Sequence, residues 1–270
     1  MAISPAVTFI YKGLLKSIKV AGVYSLTEDY DGVLEITADN VNLNLDGFTC
    51  NLSVKSAKNI RVSNGISKST VIKSAENVSI NTLRMFGQMS VTDSINITLD
   101  RLSFNGVKSA FVANNVKTLN LSNFSFSKCK TALEIVKVQT FILSGFIGLD
   151  PAYGYNMVSC QDCDDCKMVH CNGIGQTTLT DINKITISQV KSDVFQLMLN
   201  KCLAGVIEQI ISSNLKTNWV YMSGCNSIML LNSTGCFESE NESTAITLDS
   251  ECSNCFVKGM IIDGHTLVLR

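Results

Sequence analysis

The chain has 270 residues, of which 46% are hydrophobic and 17% charged, and its net charge is -1. That balance excludes a disordered chain, and with Lys and Arg scattered singly it excludes the electrostatic footprint of a nucleic-acid or anionic-membrane binder. Only 2 prolines occur, and no stretch dense in Pro, Gly and Ser marks a linker, so one continuous structure is expected.

In chain order, the first residues carry no uninterrupted apolar run, because Lys12, Lys16 and Lys19 break it. Neither a signal-peptide core nor a span of about 20 apolar residues is present in them. Apolar residues at Val7, Ile10, Leu14, Leu15 and Ile18 suit a short amphipathic helix between Pro5 and Val20. Residues 1–22 are therefore expected to cap one end of a larger unit, residues 23–270.

From Ala38 a short phrase recurs: Ala38-Asp39-Asn40-Val41, Ala57-Lys58-Asn59-Ile60, Ala75-Glu76-Asn77-Val78, Asp93-Ser94-Ile95 and Ala113-Asn114-Asn115-Val116. The steps are 19, 18, 17 and 21 residues. Apolar residues alternate after each phrase, as in Leu43 and Leu45 or Leu119 and Leu121. Period two inside a period near 20 is the signature of a β-solenoid, whose strands pair in parallel from one coil to the next. A second apolar register keeps step through Phe111-Val112, Leu133 to Val136, Met157-Val158, Phe195 to Leu199, Trp219 to Met222, Ala245 to Leu248 and Leu267 to Leu269, with one extra coil expected between Met157 and Phe195.

Asn64-Gly65, Asn105-Gly106, Asn172-Gly173, Asp46-Gly47 and Asp263-Gly264 supply residues that tolerate positive φ at coil corners. Asn40, Asn59, Asn77 and Asn115 are expected to stack as an amide ladder. Around Asp150 to Gly154, Asp162 to Asp165 and Glu238 to Glu242 the step lengthens, which predicts loops protruding from the rod. Sequons such as Asn96-Ile97-Thr98 and Asn120-Leu121-Ser122 fall in predicted strands.

Residues Tyr24 to Leu26, Gly32 to Ile36 and the run Ala38 to Thr49 carry a resemblance to the right-handed parallel β-helix, or pectin-lyase-like, superfamily. It spans roughly Tyr24 to Leu269 as repeats. The fold class it implies is all-β: a right-handed parallel β-helix of about ten to eleven coils with a short N-terminal cap. The superfamily includes polysaccharide lyases and hydrolases, phage tailspikes, adhesins and structural proteins of large viruses, so the resemblance implies a fold and leaves function to the site.

For a hydrolase the resemblance implies two or three carboxylates together on one strand face. Asp162, Asp164 and Asp165 are the candidates outside the acidic run Glu238 to Glu242. The Gly-His-Gly and Arg-x-Lys of the pectin-hydrolysing members are missing; Gly264-His265 is followed by Thr266. A lyase would need a Ca²⁺ site and an arginine base. Arg84 and Arg101 are expected to stack on adjacent coils as a solvated charged ladder.

Cysteine is the unusual component, with 11 in all. Reduced thiols packed as small hydrophobes in a cytosol-like compartment are the plain reading. Cys160, Cys163, Cys166, His170 and Cys171 could supply soft ligands to zinc, although a strand through Lys167 to Val169 would turn His170 and Cys171 to opposite faces. A further C-x2-C lies at Cys252 and Cys255. No phosphate loop, Ser/His/Asp order or dinucleotide fingerprint is present, and no cofactor is expected.

The resulting expectation is a non-catalytic structural or attachment component of a large assembly, a minor capsid or surface protein of a virus particle, found in the virion or host cytoplasm. Its partners are other protein subunits, including copies of itself in a trimer, and glycans, without nucleic acid or a membrane span. The alternatives are a lyase or hydrolase centred on the three aspartates, or a glycan-binding β-helix without turnover using Tyr153, Tyr155 and Trp219.

Overall fold

The computed structural model describes residues 6–10, 16–149, 157–215, 219–237, 245–262 and 265–269. Among them every regular element is a strand. The chain winds as a parallel β-solenoid of about 11 turns, with strands on two sheets in the first turns and on three from residues 65–67 onward.

The first sheet runs from Val7–Ile10 through Gly22–Leu26 and Val41–Asn44, and on through residues 97–100, 141–144 and 185–188 to 256–258. Residues 17–18, 33–36, 70–73, 111–114, 158–161 and 246–248 belong to the second. Residues 65–67, 83–85, 102–104, 125–127 and 190–192 belong to the third. All these pairings are parallel. The extra coil expected after Met157 is present, with 177–180 between 158–161 and 197–200.

Side chains alternate in and out of the rod, and inward residues stack in columns. One column follows the register from Leu43 through Val62, Ile80, Leu99, Leu121 and Leu143 to Met168, Ile187, Ile207, Leu230 and Val257, all buried. Another holds aromatic rings: Phe126 lies between Phe104 at 5.2 Å and Phe146 at 4.8 Å, stacked on both. Coils approach closely where side chains are absent. A Cβ on Gly87 would lie 1.7 Å from the Lys68 carbonyl oxygen.

Corners are made by single residues in the left-handed region. Between the first and third sheets stand Asn64, Thr82, Arg101, Asn123, Gly145, His170, Gln189, Gln209, Asn232 and Gly259, one per turn, with φ from 45° to 71°. Between the second and first sheets stand Ser56 with Asn59, Ser74 with Asn77 and Asp93 with Asn96, and then single residues at Asn115, Lys137, Asp162, Asp181 and Lys201. One such residue bends the strand onto the next sheet without a loop, which keeps the turns short.

Four expectations are corrected. Residues 7–10 and 17–18 are strands, not a helix, because their backbones pair with Val23–Leu26 and Glu35–Ile36 and the stacking extends over the expected cap. Residues 162–165 do not protrude; they lie within the strand Met157–Asn172, bent at the single corner residue Asp162. The last strand, His265–Leu269, pairs antiparallel with Phe256–Ile262, so the strands flanking residues 263–264 form a hairpin and not a further coil. The expected loops at 150–154 and 238–242 lie outside the described residues.

The fourth correction concerns the amide ladder. Asn59 donates to Asn40 at 2.9 Å and Asn77 to Asn59 at 3.1 Å, but the next rung is Asn96, donating to Asn77 at 3.0 Å. Asn115 instead donates to Asp93 at 2.7 Å. The corner narrows from two left-handed residues to one at this turn, and the narrowing carries Asn115 into the neighbouring column.

Candidate functional site

The corner geometry fixes the predicted acidic residues. Asp162 is a corner residue with φ of 53°, aligned between Lys137 and Asp181. Asp164 is exposed and accepts a 2.8 Å hydrogen bond from the Asn183 amide on the next turn. Asp165 is half-buried and opens the first-sheet segment, in register with Thr140 and Lys184. The three acids therefore wrap around a bend instead of sharing one strand face.

His170 and the cysteines separate in the same way. His170 is a corner residue with φ of 53° and an exposed side chain, whereas Cys160, Cys163, Cys166 and Cys171 all face the lumen and are buried. Their neighbours in register are Ile135, Phe141, Leu179, Ile182, Ile185 and Val190, so these thiols occupy positions that adjacent turns fill with hydrocarbon. Among the described residues no set of three or more His, Cys, Asp and Glu side chains is disposed to hold a metal ion.

The positions of the cysteines obey a rule that spacing alone did not reveal. Six of them come directly after a left-handed residue: Cys129 after Lys128, Cys163 after Asp162, Cys171 after His170, Cys202 after Lys201, Cys225 after Gly224 and Cys255 after Asn254. Each donates its thiol to the carbonyl two residues earlier, at 3.3 to 3.5 Å. Ser94 and Ser233, after Asp93 and Asn232, do the same with hydroxyls at 2.7 and 2.8 Å. The carbonyl of Thr92 already accepts from the Ser74 amide, so the side chain takes its second lone pair. A Cys or Ser placed directly after a corner residue such as Lys, Asp, His, Asn or Gly is the signal that would have revealed this.

Burial pushes the Cys50 thiol up to about 12, Cys163 to about 11 and Cys171 to about 12. A hydrogen bond with Cys166, then burial, raises Cys160. Cys202 lies beside Cys225 on the next turn, and that neighbour together with burial holds the Cys202 thiol well above its usual range. Cys236 is exposed.

Of the aromatic candidates, Trp219 is fully buried against Gly235 and presents no surface. Tyr153 and Tyr155 lie outside the described residues. Arg84 and Arg101 occupy adjacent turns but not one ladder, since Arg101 aligns with Thr82 and Arg84 with Ser103. Arg101 Nε bonds Asp100 at 2.8 Å. Burial works to raise the Asp100 carboxyl, but hydrogen bonds from Ser122 and Asn123 together with Arg101 hold it below the usual carboxylate range.

Two shallow hollows flank the first sheet in the N-terminal half. One, of about 510 Å³, runs along the amide ladder and includes Arg61, Ser79 and Thr98. The other, of about 470 Å³, lies at the opposite corner and includes Arg84 and Arg101.

No family model matches the chain, and no curated protein does. Solved structures do. Tailspike protein 3 of bacteriophage CBA120 is 11% identical over 92% of this chain, with a TM-score of 0.49; the chain spans about half of that one, 52%. Endo-xylogalacturonan hydrolase from Aspergillus tubingensis is 9% identical over 95% of this chain and 84% of its own, with a TM-score of 0.36. PfbA, a surface adhesin of Streptococcus pneumoniae, is 10% identical over 90% and 76%, with a TM-score of 0.37. Three parallel sheets, about 11 turns and a continuous lumenal core make this chain a parallel β-helix.

Proposed function

We propose that the chain is a non-catalytic structural or attachment component of a large assembly, with a virus particle as its setting and other protein subunits along its flat sheets as its partners. The observation that carries this reading is the use made of the acidic cluster. Asp162 forms a corner, Asp164 accepts the Asn183 amide, and Asp165 lies beyond the bend, so the acids serve the rod and do not converge on a reacting atom. The test is a reducing-end assay on acidic and neutral polysaccharides with the wild type and Asp164→Ala/Asp165→Ala. This reading expects no turnover from either protein. Turnover by the wild type that the variant loses while still folded would establish the hydrolase or lyase instead.

A glycan-binding β-helix without turnover is the second reading, favoured by the amide-lined hollow. Each ladder amide uses one N–H for stacking and leaves another for a ligand, and Ser79 and Thr98 add hydroxyls. Glycan retention that Asn59→Ala and Asn77→Ala abolish, with no product released, would select this reading.

A further inference from the structure

The second hollow has a different chemistry. It is open where Gly47, whose missing side chain would meet nothing within 4 Å, lies at its edge, and it is walled by Thr82 and Arg101 on the corner and Arg84 and Ser103 on the third sheet. Register sets the two arginines on adjacent turns two positions apart, and both line this one hollow.

Charge decides what that space accepts. The Asp100 carboxylate pairs with Arg101 through Nε at 2.8 Å and neutralises its charge. Arg84 has no ion pair among the described residues. The hollow thus carries one uncompensated positive charge. Its guanidinium groups donate only, and the Thr82 and Ser103 hydroxyls and the Asn64 amide, which also carry acceptor oxygens, can donate alongside them. A monoanionic oxyanion uses those donors and compensates the single positive charge, which a neutral sugar leaves uncompensated. A hollow of about 470 Å³ is large enough for one sugar-sized or amino-acid-sized ligand.

We propose that the Arg84–Arg101 hollow is a binding site for one monoanionic oxyanion group, a carboxylate or a sulfate ester. The inference stands on this hollow alone, whichever role the rod has. The experiment titrates the full chain with sodium methyl sulfate or sodium acetate, replacing sodium chloride at constant ionic strength, and follows the arginine Nε–H signals by NMR. Saturable shifts at Arg84 and Arg101 with an affinity in the range of about 1 mM are expected from at least one probe, and the tighter probe identifies the group. Arg84→Gln should weaken binding about tenfold or more. Arg84→Lys should restore part of it, since the charge returns without the planar fork. Arg61→Gln, in the other hollow, should leave it unchanged. Shifts that never saturate with either probe, or equal weakening by Arg61→Gln and Arg84→Gln, would overturn the proposal.

Discussion

Asn77 is an interior rung of the amide ladder, so replacing it separates two contributions that coincide in the wild type. Its Nδ2 donates to Asn59 at 3.1 Å, its Oδ1 accepts from Asn96 at 3.0 Å, and its φ is 54°. Both bonds are exposed, so each contributes about 0.5 kcal/mol, the low end for intramolecular hydrogen bonds. Glycine removes both but accepts the backbone conformation, and its added unfolded-state entropy brings the expected loss to about 1.5 kcal/mol. Alanine loses the same bonds and adds about 1 kcal/mol for a Cβ in the left-handed region. The assay is thermal unfolding of wild type, Asn77→Gly and Asn77→Ala. The two variants then differ by about 0.5 kcal/mol, so in a chain of this size the alanine variant should melt ~1 °C below the glycine variant. If alanine proves at least as stable as glycine, the corners are not governed by left-handed strain. If both match the wild type, the ladder contributes nothing.

Three further predictions concern packing and titration. Gly87→Ala places a Cβ where the Lys68 carbonyl oxygen stands, so the coils must part; a loss of about 3 kcal/mol or more is expected by urea unfolding, and a wild-type midpoint would contradict the close approach. His170→Gly relieves a left-handed conformation held by a side chain that faces solvent, and should raise stability by about 0.5 to 1 kcal/mol in the same experiment; a loss would show that the imidazole makes a contact that matters. Cys50 and Cys171 keep their protons in the folded state up to about 12, against about 9 for an unfolded thiol. Their contribution is complete below pH 9 and falls as pH rises from 9 toward 12, by about 1.4 kcal/mol per pH unit for each thiol, or about 2.7 kcal/mol together. Cys50→Ala/Cys171→Ala should flatten that alkaline slope, measured from urea midpoints at each pH; an unchanged slope would assign it to other groups.

The stacking period, the first- and second-sheet registers and the extra coil after Met157 are all legible in the sequence, because inward and outward residues alternate strictly and the corners take almost no chain. The features that escaped have a common cause: a single left-handed residue can turn a strand where composition suggests a loop. Asp162 to Asp165 look like a polar insertion, yet Asp162 makes the bend and the rest continue the strand. Asn115 fits the recurring phrase, but the ladder continues at Asn96 because the corner changes from two left-handed residues to one. Val7 to Ile18 fits a helical spacing as well as a strand, and pairing with Val23–Leu26 decides between them. Alternation in Leu267 to Leu269 predicts a strand but carries no direction. The candidate site was least legible, since Arg84 and Arg101 meet only through a register offset of two positions.

Central to the proposed function is that the rod is a fixed part of something larger. Quantitative mass analysis of the native source, separated by size without denaturation, tests this most directly. The chain is expected to migrate with a large particle at constant stoichiometry through successive purification steps. Recovery of the chain as a free species at every step would contradict it.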